Sequence, residues 1–109
     1  MEILSRREEQ VLLAVWELKD SAYLMAIKDY LTKITLKKWS VGIVHKPLLK
    51  LEKKGFIESF MGEATAKRGG RRKKMYAVTI LGIQELKKLK REHDVLWKNF
   101  IYAEITKDA

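Results

Sequence analysis

The chain has 109 residues, 47% of them apolar, which is the size of one domain around a single core and too apolar for a disordered polypeptide. It contains no cysteine, which excludes disulfides and thiolate metal sites, and no apolar run reaches the roughly 18 residues of a membrane-spanning helix. The formal net charge of +9 favours a polyanionic partner, nucleic acid ahead of an acidic membrane surface.

Residues 1–10, MEILSRREEQ, lack the apolar stretch of a secretory signal, so a cytoplasmic protein is expected. Ser5 followed three residues later by Glu8 reads as a capping box, with Leu4 as a hydrophobic staple ahead of it. Val11, Leu12, Val15, Trp16 and Leu18 are expected to fill a mostly buried helix over 6–19, which the polar turn Lys19-Asp20-Ser21 ends. A second helix is predicted over 23–35. Leu24, Ile27, Leu31 and Ile34 share one face of it, and Lys28, Asp29 and Lys33 look away.

Ser40 is the predicted N-cap of a third helix. Val41, Val44, Leu48 and Leu51 form its expected buried stripe, with Gly42, Ile43, Lys46, Lys50 and Lys53 opposite. Pro47 removes one hydrogen bond from this helix, and Gly55 follows its end as a C′ residue. Two short strands are predicted over 56–61 and 75–79. The tract GEATAKRGGRRKK between them turns at Gly69-Gly70, which makes a β-hairpin with a long charged tip. Thr79 caps a final helix over 80–104, about 37 Å long. Leu86, Leu89, His93, Leu96, Phe100 and Ala103 alternate three and four apart along it, as in a coiled-coil seam, and Val95, Trp97 and Ile101 widen the stripe. A core this small cannot cover the whole of it.

The predicted class is therefore α+β and mostly helical. A winged helix-turn-helix of three helices and a two-stranded β wing occupies 1–79. A long C-terminal dimerisation helix over 80–105 packs on the same domain, and 106–109 is a tail. The charge map adds function to this order. Residues 1–36 carry a net −1, 37–61 +4, 62–79 +5 and 80–109 +1, so the third helix and the hairpin are the most basic pieces. A recognition helix enters the major groove while arms and turns meet phosphate. The candidate recognition residues are Lys38, Ser40, Gly42, Ile43, Lys46 and Lys50. Gly42, Ile43 and Lys46 are placed for base edges or the groove wall. Lys50 and Lys53 are placed for phosphate, and Lys37 and Lys38 precede the helix within reach of the backbone. The candidate wing residues are Lys67, Arg68, Arg71, Arg72, Lys73 and Lys74, six basic side chains among eight consecutive residues. Trp39 is assigned to the core. Tyr76 is either packed beneath the wing or turned to a phosphate.

The stretches VHKPLLKLEKKGFIES at 44–59 and GRRKKMYAVT at 70–79, with Gly82 three residues on, resemble the PadR family of bacterial winged-helix transcription regulators. The tract GEATAKRGGRR at 62–72 looks like a subgroup with a long basic wing. The resemblance covers about residues 5–90. It implies a homodimer held by the C-terminal helix, bound to a palindromic operator and repressing. His45 departs from the pattern, since many members carry tyrosine there, and the C-terminal region is short. The candidate dimer residues are Leu86, Leu89, His93, Leu96, Trp97 and Phe100. Trp97 reads first as interface packing; the resemblance also implies a small aromatic effector against it.

His45 is expected to be packed or hydrogen-bonded beside the buried stripe, and His93 to sit in the dimer seam as a polar register device. Two histidines without cysteine make a poor zinc set, so no metal or cofactor is expected. No nucleophile elbow, phosphate-binding loop or Cys/His pair is present, so an enzyme is not expected. Double-stranded DNA is the expected partner. The alternatives are a winged-helix protein-interaction module and a double-stranded RNA binder.

Overall fold

The computed structural model describes residues 3–62 and 72–107, with side chains through Phe100. Helix α1 (Arg6–Leu18) leads through a short 3-10 turn (Lys19–Ser21) to α2 (Leu24–Thr35) and α3 (Val41–Lys53). Strands β1 (Ile57–Met61) and β2 (Lys74–Val78) follow, and then α4 (Ile80–Lys107), which runs three residues past its predicted end. The strands pair antiparallel from Ile57 opposite Val78 to Met61 opposite Lys74. The chain between α1 and α2 joins their outer side: Tyr23 bridges Met75, and the Tyr76 amide donates to the Ala22 carbonyl at 2.8 Å. No helix among the described residues is long and apolar enough to cross a membrane.

The caps form where the sequence places them. The Ser5 hydroxyl accepts from the Glu8 amide, and the Glu8 carboxylate accepts from the Ser5 amide in return. The Ser40 hydroxyl accepts from the Ile43 amide at 3.2 Å, and the Thr79 hydroxyl from the Gly82 amide at 3.0 Å. Gly55 turns the chain out of α3 at φ +83°, a left-handed conformation that glycine adopts without strain. The core joins Val11, Leu12 and Val15 of α1 to Ile27 and Leu31 of α2, Val44, Leu48 and Leu51 of α3, and Ile57 and Tyr76 of the hairpin.

Four expectations need correction. Trp16 is 45% exposed: α1 buries Val11, Leu12, Ala14 and Val15, and Trp16 lies beside that face, towards α4. Ile34, in the last turn of α2, is exposed. The buried stripe of α3 is Val44, Pro47, Leu48 and Leu51, while Val41, in the first turn, is exposed. Burying the Pro47 ring gives that residue a packing role, because its missing N–H is one polar group fewer to satisfy in the core. His45 is exposed, one residue around the helix from the stripe, rather than packed against it.

An ion pair ties α1 to the end of α3. Glu8 is buried, and its second carboxylate oxygen accepts from the Lys54 ammonium at 2.8 Å. Burial alone would raise the Glu8 pKa. The hydrogen bond from Lys54, those from Ser5 and the Lys54 charge outweigh it and hold the carboxyl below its ordinary value of 4.5. Lys54→Met leaves a buried carboxylate without its cation, and the expected cost at pH 7 is about 2–3 kcal/mol in urea unfolding. A folded-state pKa below the unfolded one gives stability that is full above the ordinary value and lost as pH falls through the folded value. The gap between wild type and Lys54→Met should therefore narrow below pH 4.5; a gap constant down to pH 3 would refute the ion pair as its cause.

Candidate nucleic-acid interface

The exposed side of α3 presents Gly42, Lys46, Lys50 and Lys53 to solvent. A Cβ added at Gly42 would meet nothing within 4 Å, so this side is open at its N-terminal turn. Ile43 is half-buried and packs partly against the core, so it shares less of this face than the sequence implied. The Ser40 hydroxyl is engaged as the helix cap. Ahead of the helix, Leu36 turns the chain at φ +59°. The Thr35 hydroxyl donates to the Leu31 carbonyl and accepts from the Trp39 indole N–H at 2.9 Å and the Lys37 amide. Trp39 is buried as expected, which anchors the turn and leaves Lys37 and Lys38 exposed on its surface. Thr35 was not identified from sequence. A threonine four residues before a tryptophan at a helix end is its only local signal.

Of the six candidate wing residues, Lys67, Arg68 and Arg71 lie outside the described residues, with the Gly69-Gly70 turn. Arg72, Lys73 and Lys74 are exposed, and each has an intramolecular contact. The Arg72 Nε donates to the Gly62 carbonyl at 3.1 Å. The Lys73 ammonium sits 4.0 Å from the centre of the Tyr23 ring, and that of Lys74 sits 5.7 Å from the Tyr76 ring. Tyr76 is buried, which decides its two sequence readings in favour of packing. Burial, and then the negative charge of Glu52, raise its hydroxyl pKa above 10.0.

The candidate dimer residues divide in two. Leu86 and Leu89 are half-buried against the domain's own core. His93, Leu96, Trp97 and Phe100 are exposed, Leu96 at 77% and Phe100 at 59%. The His93 and Trp97 rings stack with centres 5.5 Å apart, and Phe100 meets Trp97 edge-on at 5.6 Å. Grooves between α1 and α4 continue this apolar face. One, of about 400 Å³, is lined by Leu13, Leu89, His93, Leu96 and Trp97 among others. Another, of about 360 Å³, is lined by Leu13, Trp16, Ile83, Leu86, Lys87 and Lys90. Leu13 and Trp16 were missed as members of this surface. The signal was present: apolar residues at 11, 12, 13, 15 and 16 are more than one face of a helix can bury.

No protein-family model matches this sequence, and no curated protein matches it. Solved structures do. A PadR-like transcription factor from Bacteroides fragilis superposes with a TM-score of 0.70 at 22% identity, over 87% of this chain and 86% of that one. The chain has a winged-helix fold. A PadR-like transcriptional regulator from Bacillus cereus is similar over 92% of this chain and 87% of its own, with a TM-score of 0.65 and 21% identity. A protein from Streptococcus mutans is 27% identical, with a TM-score of 0.67, over 92% of this chain and 86% of that one. Within the winged helix, α2 and α3 form the helix-turn-helix and β1 and β2 the wing, as the order of elements predicted.

Proposed function

We propose that this winged helix is a PadR-like regulator of transcription. It binds double-stranded DNA as a homodimer on a palindromic operator, and its action is repression. The observation that carries the reading is the exposed face of α3. Gly42, Lys46 and Lys50 take no part in the core, in a chain whose positive charge is concentrated on that helix and the hairpin. Similarity to solved structures that include PadR-like regulators supports it. In this reading α3 lies in a major groove and the wing on the flanking backbone. The apolar α1–α4 face closes against a second copy, and half-sites fall about 34 Å apart. The groove beside Trp97 is where a small aromatic effector would sit.

Selection of bound duplexes from a random library should return a palindrome. If a dimer neutralises on the order of eight phosphates, log K should fall with log salt at a slope near −7. Arg72→Ala should weaken binding to all sequences alike, because phosphate contacts position a protein without reading bases, whereas Lys46→Ala should change which sequence is preferred. A slope near zero, or stronger binding to an RNA duplex of equal length, would refute the reading.

A further inference from the structure

The first turn of α1 adds a cation to the α3 surface that neither the helix-turn-helix nor the wing supplies. A groove of about 300 Å³ runs between them, lined by Ser5, Arg7, Glu8, Gly42, Ile43, Lys46, Pro47 and Lys50. It brings Arg7 to the same surface as Lys46 and Lys50, and all three are exposed. None of the three has an ion-pair partner among the described residues. The acidic residue of the groove, Glu8, is committed elsewhere: one oxygen takes the Ser5 amide and the other takes Lys54. The Ser5 hydroxyl accepts from the Glu8 amide, which leaves its own proton to donate. The groove thus has three uncompensated cations, an available hydroxyl and no available carboxylate. That is a seat for a phosphate oxyanion.

We infer that Arg7 contacts a DNA backbone phosphate held in this groove, on the side of the recognition helix served by the start of α1. The inference rests on the DNA-binding reading above and adds a third backbone-contacting element to it. The site is separate from the wing. The segment that follows the other end of α1 meets β2 through the Ala22–Tyr76 hydrogen bond, and α1 rises about 16 Å from Arg7 to Leu18. Arg7 therefore lies about the length of α1 from the root of the hairpin, and in this reading the two hold different phosphates. The neighbouring Arg6 turns to the opposite groove, beside Glu9, Glu92 and Trp97, so adjacent arginines serve different surfaces.

The test is a salt titration of full-length protein on one duplex, comparing wild type, Arg7→Ala, Arg7→Lys and Lys88→Ala. Lys88 is an exposed lysine of α4 that matches the charge change away from the groove. Losing one phosphate contact per subunit should flatten the slope of log K against log salt by about 2, and lower affinity roughly 60-fold at 0.1 M salt for every sequence alike. Arg7→Lys should keep most of the slope. Lys88→Ala should leave it unchanged, and urea midpoints should match wild type throughout. An Arg7→Ala slope equal to wild type, or equal flattening by Lys88→Ala, overturns the inference while DNA binding stands. A wild-type slope near zero removes the DNA-binding reading and this inference with it.

Discussion

Gly82→Ala is expected to destabilise the fold by about 3 kcal/mol or more, although alanine is the better helix former by about 1 kcal/mol. Gly82 is buried in the first turn of α4 against the end of α3 and the base of the hairpin. A Cβ there would overlap the Phe56 carbonyl oxygen and stand 2.7 Å from a Val78 methyl. The nearest obstacle is backbone, so no rotamer change relieves it. That carbonyl also accepts from the Thr79 amide, and the Thr79 hydroxyl in turn caps α4. Moving Phe56 aside would disturb the junction of α3, hairpin and α4 together. Urea unfolding should show a lower midpoint at an unchanged m-value. A midpoint equal to or above wild type would mean that α4 shifts outward at little cost.

If the proposed homodimer forms through the α1–α4 face, Leu96→Glu should convert it to monomer and lower affinity for a palindromic duplex by about 100-fold or more. Leu96 stands on α4 in line with Trp97 and Phe100, beside Leu13 of α1, and nothing among the described residues covers this face. A second copy would cover it, and a twofold axis would then bring two glutamates into one apolar seam, where unpaired charge is costly. A dimer holds its second recognition helix at a high effective concentration beside the second half-site, an advantage of 10²–10⁴ on the order of general experience with linked sites. Sedimentation should report half the mass. The monomer should keep weak binding to DNA, with a salt slope about half that of the dimer, because its own phosphate contacts are intact. Unaltered mass and affinity would place the interface elsewhere. Leu96 is 77% exposed in the single chain, so the substitution should leave subunit folding untouched, and circular dichroism can verify that.

Features written in short stretches of sequence were the readable ones. The Ser5–Glu8 box, the Ser40 cap, the Gly55 stop and the Thr79 cap each involve residues a few positions apart, and all form as expected. Both strands came within a residue of their observed bounds, because glycine and a change of period mark their ends. The α3 stripe was read one turn too early: Pro47 was counted only as a lost hydrogen bond, and its ring proved to be part of the core while Val41 stayed exposed. Features joining distant segments were not readable. Glu8 and Lys54 lie 46 positions apart, and neither has a neighbour that names the other. The same holds for Lys73 over Tyr23 and for Arg7 beside Lys46. Trp16 failed for a third reason. Periodicity reports that a side chain is apolar, but the chain's own core and a second copy read alike at that level.

The root of the hairpin is laced to the segment between α1 and α2 by the Tyr76–Ala22 hydrogen bond, the Tyr23–Met75 bridge and the Lys73 ammonium over the Tyr23 ring. The strands therefore turn with α2 and α3 as one body. Fixing a free backbone costs on the order of 1–2 kcal/mol of conformational entropy per residue. For the strand residues that cost falls on folding, before any duplex arrives. Residues 22–24, which touch no nucleic acid in the binding reading, thus set how far the arm is preorganised. They weight association through entropy while every phosphate contact stays the same.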